Sequence, residues 1–345
     1  MIYFCKFTLR YEGFVNYGPL RAFHKAGTTP ERKVRFYEYQ NAYVHLKRIL
    51  LALLTVWIVI TITFFASRAV PGGPFASEKA ITPETQAALE AKYGLDKPVG
   101  EQYLTYLADI VTKFDFGPSL KNRGRDVIDV IGDGMSASVQ LGVSAAAIAL
   151  VAGVVLGAVA ALRRNKLIDR IVMVFTTACI SMPSFIMGTL LLILFAITLG
   201  ILPANGEAQG GLILPIITLS LSPMANITRL TRSSMLDVLG QDYIRTAKAK
   251  GVSGGKIIFG HALKNALIPV ITYFGPMLAY IVTGSLVVEQ IFAVPGIGRT
   301  FVSSITDRDY PMIMGTTIVL ATLIVIMNMI SDVLYKVVDP RITLE

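Results

Sequence analysis

The most constraining feature of this sequence is a set of apolar runs too long for a soluble core. Ile49 to Ala66 carries no charged residue, with Lys47 and Arg48 before it and Arg68 and Pro71-Gly-Gly-Pro74 after it. A helix rises about 1.5 Å per residue, so such a run matches the roughly 30 Å hydrocarbon layer of a bilayer, where each backbone N–H must find its partner inside its own segment. Five further runs follow: Ser136 to Leu162, Ile171 to Leu199, Leu212 to Ile227, Ala266 to Val288 and Met312 to Val338. The fold class that follows is an all-α membrane protein with six transmembrane helices. Only 16% of the residues are charged and 53% are hydrophobic, against about 25% charged in soluble chains. The net charge of +9 does not indicate nucleic acid, because Lys and Arg stand beside apolar spans rather than on a soluble, aromatic-studded face.

The basic residues orient the spans. Arg163, Arg164, Lys166 and Arg170 follow the second span, and Arg229, Arg232, Arg245, Lys248, Lys250, Lys256 and Lys264 follow the fourth. No Lys or Arg follows the third span, and only Arg299 and Arg308 follow the fifth. Positive loops stay inside, so the second and fourth connections are cytoplasmic, as are both termini.

These spans organise the rest. Residues 1–45 are a basic, aromatic extension that reads equally as a segment lying on the inner membrane surface or as a poorly ordered tail, with Thr28-Thr-Pro30 arguing against one continuous helix. Residues 46–67 form the first transmembrane helix. Residues 68–135 form an extracytoplasmic region, in which Thr82 to Tyr93 reads as a helix stopped at Gly94. Glu101 to Lys113 reads as a second helix, with Tyr103, Leu104, Leu107 and Ile110 on one side. Residues 136–338 form the transmembrane core, and 339–345 a cytoplasmic tail. Cys5 and Cys179, one before the first span and one inside the third, predict neither disulfide nor metal site.

Within the core, Ala145, Ala149, Gly153, Gly157 and Ala161 recur every four residues, a small-residue stripe that lets helices approach closely, expected to pack within this chain. Pro183, Pro215, Pro223, Pro269 and Pro276 interrupt the third to fifth spans and free backbone carbonyls, which need neighbours or a wet cavity. On that ground Met182, Pro183, Ser220, Ser222 and Pro276 are candidates for a translocation path. Glu289 and Asp332 are ionisable residues near span ends, with Arg299 or Arg308 expected to pair with the first and Arg229, Arg232 or Lys336 with the second.

One segment breaks the apolar pattern in a regular way. Residues 240–264, within the longer stretch Gly240 to Pro269, are basic and water-compatible between two apolar spans. Asp242 is placed to cap a helix from Tyr243 to Lys250, Gly251 can take the left-handed turn that closes it, and Ser253 can cap a second helix. Ile257, Ile258, Phe259 and Leu263 give that second helix an apolar side.

This stretch resembles the cytoplasmic coupling loop, or EAA loop, of ABC importer permeases: Glu-Ala-Ala, three residues, Gly, nine residues, Ile-x-Leu-Pro. Ala247, Gly251 and Leu263 match, while Arg245, His261 and Lys264 occupy the Glu, Ile and Pro positions, the form found in the dipeptide/oligopeptide branch. Arg68-Ala-Val-Pro-Gly-Gly-Pro-Phe75, Asp115-Phe-Gly-Pro-Ser119, Pro295-Gly-Ile-Gly298 and Asp339-Pro-Arg341 are similar to the same branch.

The resemblance implies a type I ABC importer permease fold in a bacterial or archaeal cell (inner) membrane. It implies a second homologous permease subunit, two cytoplasmic ABC ATPases and an extracytoplasmic peptide-binding protein as partners. ATP and Mg would be bound by the ATPases and no cofactor by this chain. The coupling residues would be Asp242, Tyr243, Arg245, Ala247, Lys250, Gly251, Ser253, His261 and Leu263. The substrate it implies is an oligopeptide or dipeptide, with nickel, glutathione and oligosaccharide as alternatives inside the same architecture. A self-contained secondary transporter is a more remote alternative, which would show inverted repeats and mid-membrane charges.

The residues themselves exclude chemistry in this chain. Gly254-Gly-Lys256 lacks the upstream Gly of a phosphate-binding loop, where Lys250 stands, and Ile257 replaces the Ser/Thr. There is no H-E-x-x-H and no G-x-S-x-G, and His24, His45 and His261 all fall near the cytoplasmic side. The chain reads as a transport subunit and not an enzyme.

Overall fold

The computed structural model describes residues 30–69, 73–74, 90–91, 93–122, 124–282 and 286–338. Two compact units divide the chain, Met1–Leu53 with Glu345, and Leu54–Leu344. In the first, the described residues belong to a helix, α1, that runs Pro30–Ala69 and contains the apolar span Leu46–Ala69. Residues 1–29, including the Thr28-Thr-Pro30 break up to its proline, lie outside the described residues, as do 339–345. Pro30 itself opens α1, where its missing N–H costs nothing.

The second unit is a helical bundle. Its elements are α2 (Val99–Lys113), α3 (Val127–Leu162), α4 (Leu167–Ser181), α5 (Ser184–Thr198, π-helical from Leu192), α6 (Ile213–Leu239), α7 (Asp242–Ala249), α8 (Gly254–Ala266, π-helical over Ile257–Ala262), α9 (Ile268–Val282), α10 (Leu286–Ile291), α11 (Ile297–Asp307) and α12 (Tyr310–Val338). Among the described residues, four helices are long and apolar enough to cross a membrane, or up to six if each of two bent pairs counts as one span.

The bundle is built on α3, about 54 Å long at 36 residues. It starts nine residues before the expected Ser136, and its first turns are wet, with Asp133 paired to Arg125 at 2.6 Å. The small-residue stripe is buried at every position, and its partner is α6 of the same chain. Gly153 lies against Ile227 and Met224, and Gly157 against Thr228 and Thr231. Without side chains there, two backbones meet where ordinary apolar residues would hold them apart. Leu141, Ala145, Ala149, Met224, Ile227, Val270, Ile281 and Phe292 join in the central apolar cluster.

The prolines act differently from one another. The third run bends sharply at Pro183, where α4 and α5 meet at 110°. Met182, before Pro183, is pushed to an extended conformation (φ −85°, ψ 129°), and the Pro183 carbonyl then starts a new helix by accepting from Ile186 and Met187. Pro223 leaves α6 continuous, and Pro276 leaves α9 continuous. In the fifth run the described residues are α9 up to Val282 and α10 from Leu286, with 283–285 outside them, and α8 meets α9 at 49°.

The expected Thr82 to Tyr93 helix lies almost wholly outside the described residues, but its stop is visible. Gly94 has φ +64°, Gly94 N–H bonds Ala91 O, and Leu95 N–H bonds Glu90 O at 2.8 Å. α2 turns Tyr103, Tyr106, Leu107 and Ile110 towards a second cluster with Phe64, Phe116, Val127, Ile131 and Met312. Leu104, expected on that side, is 67% exposed.

Candidate functional site

The segment from Asp242 to Ala266 folds as a knob of short helices at the C-terminal end of α3. Its inner face is a small cluster of Ile244, Ile257, Ala262 and Ala266 closed on Ala161 of α3 and Met235 of α6. The corner between its helices is a complete Schellman turn: Gly251 has φ +77°, its N–H bonds Lys248 O, and Val252 N–H bonds Ala247 O at 3.2 Å. Val252 and Ala247 both pack on the same cluster, the apolar contact that completes such a turn. Across the corner, Asn265 Nδ2 donates to Tyr243 Oη at 2.9 Å and ties α8 to α7.

The outer face is polar and exposed. Asp242, Tyr243, Arg245, Lys250, Ser253 and His261 lie on it, whereas Ala247 and Leu263 are half-buried against the cluster. The expected capping is corrected in two places. Gln241 holds the cap position of α7 and Asp242 begins the helix, its carboxylate 3.4 Å from exposed Arg245. Ser253 does precede α8, but its side chain makes no capping hydrogen bond. Ile257 is buried as expected, but Phe259 is 73% exposed because the π-helical stretch rotates it away from the cluster.

Near the root of the knob, α4 and α6 are joined by a clasp absent from the sequence reading. Arg232 Nε and Nη2 donate to the two carboxylate oxygens of Asp169 at 2.6 and 2.8 Å, and Asn165 N–H donates to the same carboxylate at 2.9 Å. Asp169 is buried, so α4 and the lower part of α6 are joined by a bidentate pair with its second carboxylate oxygen satisfied again by backbone. Arg232 thus binds Asp169, while the side chain of Asp332, for which Arg229, Arg232 or Lys336 was the expected partner, lies outside the described residues. A separation of 63 residues left no local signal for the pairing.

The five path candidates fare unevenly. Met182 and Pro183 stand exposed at the α4–α5 bend, and Ser222 and Pro276 are half-buried. Ser220 is 2% exposed, with its hydroxyl turned back to Ile217 O. The polar side of α6 lies elsewhere: Ser222, Asn226, Arg229 and Ser233, spaced four, three and four apart, share one face. Thr228, Thr231 and Met235 are buried on the opposite side. Arg229 Nη2 donates to Thr177 Oγ1 at 2.7 Å.

Glu289 is fully buried and its acceptors are used differently from expectation. Ser138 Oγ donates to it at 2.8 Å, Gly298 N–H at 2.9 Å and Arg299 N–H at 3.1 Å. Arg299 thus meets Glu289 through its backbone, while its guanidinium reaches Ala293 O at 2.8 Å and Glu207 at 3.4 Å.

A bundle of membrane-length helices around α3, with a polar knob rooted at one end, is an integral multi-pass membrane protein. The model of the family described as "Binding-protein-dependent transport system inner membrane component" matches residues 153–344, and that of its N-terminal companion, "Binding-prot-dependent transport system membrane comp, N-term", matches 43–124. The chain belongs to this family.

Its relatives include the dipeptide transport system permease protein DppB of Bacillus subtilis, 48% identical over 291 residues, or 84% of this chain and 94% of that one. The oligopeptide transport system permease protein OppB of Haemophilus influenzae is 46% identical over 86% of this chain and 97% of its own. OppB of Escherichia coli is 44% identical over 86% and 98%. Among solved structures, a chain of the MetNI methionine ABC transporter in an inward-facing conformation has a TM-score of 0.49 and 17% identity, covering 61% of this chain and 97% of that one.

Proposed function

We propose that this chain is a membrane-spanning permease subunit of an ATP-driven importer of peptides, with the type I architecture. The observation that carries the reading is the Schellman-locked knob, apolar inside and polar outside, on a chain whose relatives at 44–48% identity are named for dipeptide and oligopeptide transport. Residues Tyr243 to Leu263 fit the groove of a cytoplasmic ABC ATPase. Two ATPases bind ATP and Mg, and their closure moves the knob. The Asp169–Arg232 clasp and the direct continuation of α8 into α9 carry that displacement into the spans. A second homologous permease completes the pathway, and an extracytoplasmic peptide-binding protein delivers substrate to the face remote from the knob. Both termini lie in the cytoplasm.

The experiment is reconstitution of this chain with its genomic-neighbour permease, ATPases and binding protein in proteoliposomes. The reading expects labelled tripeptide uptake that needs ATP and every partner, and that excess nickel, glutathione or oligosaccharide does not compete away. Ion-gradient-driven uptake by this chain alone would overturn it.

A further inference from the structure

At the end of α3 remote from the knob, α2 packs across the close of the first span. Gln102 accepts from Arg68 Nε at 2.9 Å, and the hydroxyls of Tyr103 and Thr61 are hydrogen-bonded at 2.7 Å. The rings of Tyr103 and Tyr106 stand 5.1 and 6.1 Å from that of buried Phe64, and Leu107 and Ile110 join the same apolar cluster.

That packed side is about half of the apolar surface α2 carries. At about 100° per residue, Tyr106, Ile110, Tyr103 and Leu107 fill an arc of about 100°, the width a core-facing stripe needs. Val111, Leu104 and Ala108 extend it in the same rotational sense by about another 100°. Leu104 and Val111 are 67% and 74% exposed. Phe114 closes α2 in the left-handed conformation (φ +54°), which a side chain disfavours, and it is 78% exposed. In water, three large apolar side chains on one helix would be left without cover.

The neighbouring rings identify the cover. Tyr106 meets buried Phe64, whereas Tyr103, further round α2, meets Phe64 and also Phe65 on the exposed side of α1. Phe65 continues the exposed row of Ile58 and Ile62 on the membrane-length span, four residues before that span ends at Ala69. Aromatic rings gather at this level of a bilayer. Passing round α2 from Tyr106 through Tyr103 to Leu104 therefore leads from the packed interior to the lipid side of the span. The polar side points elsewhere. Gln102, about 160° round from Leu104, donates to Leu95 O and Lys97 O, so the preceding chain arrives on that side. The Lys97–Glu101 and Asp109–Lys113 pairs, each at 2.8 Å, lie there too.

We propose that α2 is an interfacial helix, with Leu104, Val111 and Phe114 set into the bilayer leaflet remote from the knob, the outer leaflet in the topology proposed above. Its partner is lipid and not another protein. The wide apolar arc then serves α1 and acyl chains together, while the charged pairs stay in water.

The test uses the assembled transporter in phosphatidylethanolamine–phosphatidylglycerol vesicles, with a chain lacking Cys5 and Cys179. Leu104→Cys, Val111→Cys, Thr105→Cys and Thr112→Cys each carry a bimane label, and all four positions are exposed, so the changes cost the fold little. Ile62→Cys is the reference for lipid contact. Quenching is read with 5-doxyl phosphatidylcholine in the vesicles and iodide in the water, before and after the binding protein is added. Labels at Leu104 and Val111 should match the Ile62 label: quenched by the nitroxide lipid, spared by iodide, with emission shifted to the blue. Labels at Thr105 and Thr112 should show the reverse, and the binding protein should change neither pattern. Iodide quenching at Leu104 and Val111 equal to that at Thr105 and Thr112 overturns the proposal. Shielding from both quenchers also overturns it, and assigns the stripe to a protein: to this chain or the second permease if present throughout, to the binding protein if it appears on addition. Uptake is not read, so failure at Leu104 and Val111 leaves the transport reading standing.

Discussion

Ser138 Oγ donates a 2.8 Å hydrogen bond to the buried carboxylate of Glu289, 151 residues further along the chain. The same hydroxyl oxygen accepts from Ile297 N–H at 2.9 Å, so one serine on α3 fixes both α10 and the loop Pro295-Gly-Ile-Gly298. That loop wraps the carboxylate closely, and a side chain at Gly296 would overlap it. Those glycines are therefore required by close approach, since Gly296 itself is in an ordinary extended conformation.

Removing the carboxylate should be severe. Glu289→Ala leaves the Ser138 hydroxyl and two backbone N–H groups without their acceptor in a buried place. The expected loss is about 3 kcal/mol or more. It is read as a lowered unfolding temperature of the purified assembly, with Ser138→Ala losing less because the backbone donors remain. An unchanged unfolding temperature in Glu289→Ala would remove the cage from the account.

The stripe on α3 predicts a sharp contrast between glycines of one helix. A Cβ at Gly157 would lie 2.6 Å from Thr228 O, and one at Gly153 2.7 Å from Ile227 Cγ2, whereas one at Gly132 meets nothing within 4 Å. Gly157→Val should force α3 and α6 apart and abolish recovery of folded protein from membranes. Gly132→Ala should be neutral or stabilise by about 1 kcal/mol, the difference in helix propensity. Equal recovery of the two variants would contradict the packing.

The Asp169–Arg232 pair should behave as a unit. Asp169→Asn and Arg232→Gln each strand one charge, and the double variant should cost clearly less than the sum, with a coupling of about 1–3 kcal/mol. Stability of the assembly against denaturant gives the four corners of the cycle. Coupled transport should fall further than stability, because this clasp links the knob's root to α4. Additive losses would show that the pair is not one interaction.

Gly251 tests the knob itself. Its φ of +77° is disfavoured for any side chain, yet a Cβ there meets nothing within 4 Å. The penalty is then purely conformational, about 1–2 kcal/mol for Val and less for Asn, which tolerates this region. Gly251→Val should insert and fold in the membrane while ATP hydrolysis proceeds without matching peptide uptake, and Gly251→Asn should retain most of the coupling. Full uptake by the Val variant would mean that the corner need not hold its shape.

Much of this was legible before any coordinates. Apolar run length gave the spans, the four-residue recurrence of Ala and Gly gave close packing of α3 within the chain though not its partner α6, and Gly251 and Gly94 announced their left-handed turns. Each is a local property of the chain, readable over a few residues. What escaped was long-range or finely geometric. Asp169 and Glu289 find partners 63 and 151 residues away, and no short-range pattern encodes that. Pro183 and Pro223 look alike in sequence, but one turns the chain by 110° and the other sits inside a continuous helix. Ser220 and Ser222 are two residues apart on a helix, which puts them on different sides, one buried and one half-buried, a difference that residue type alone does not carry.

The most direct measurement is cross-linking from the knob. Phe259 and Tyr243 are exposed on it, 73% and 44%, and neither is needed in the cluster beneath. With cysteine placed at Phe259 in a chain lacking Cys5 and Cys179, and single cysteines along the groove of the cognate ATPase, oxidation of native membranes should give a disulfide-linked permease–ATPase pair. Its yield should change when ATP is added. A Phe259→Cys knob that forms no cross-link with the ATPase at any position, while the assembled transporter still takes up peptide, would contradict the account.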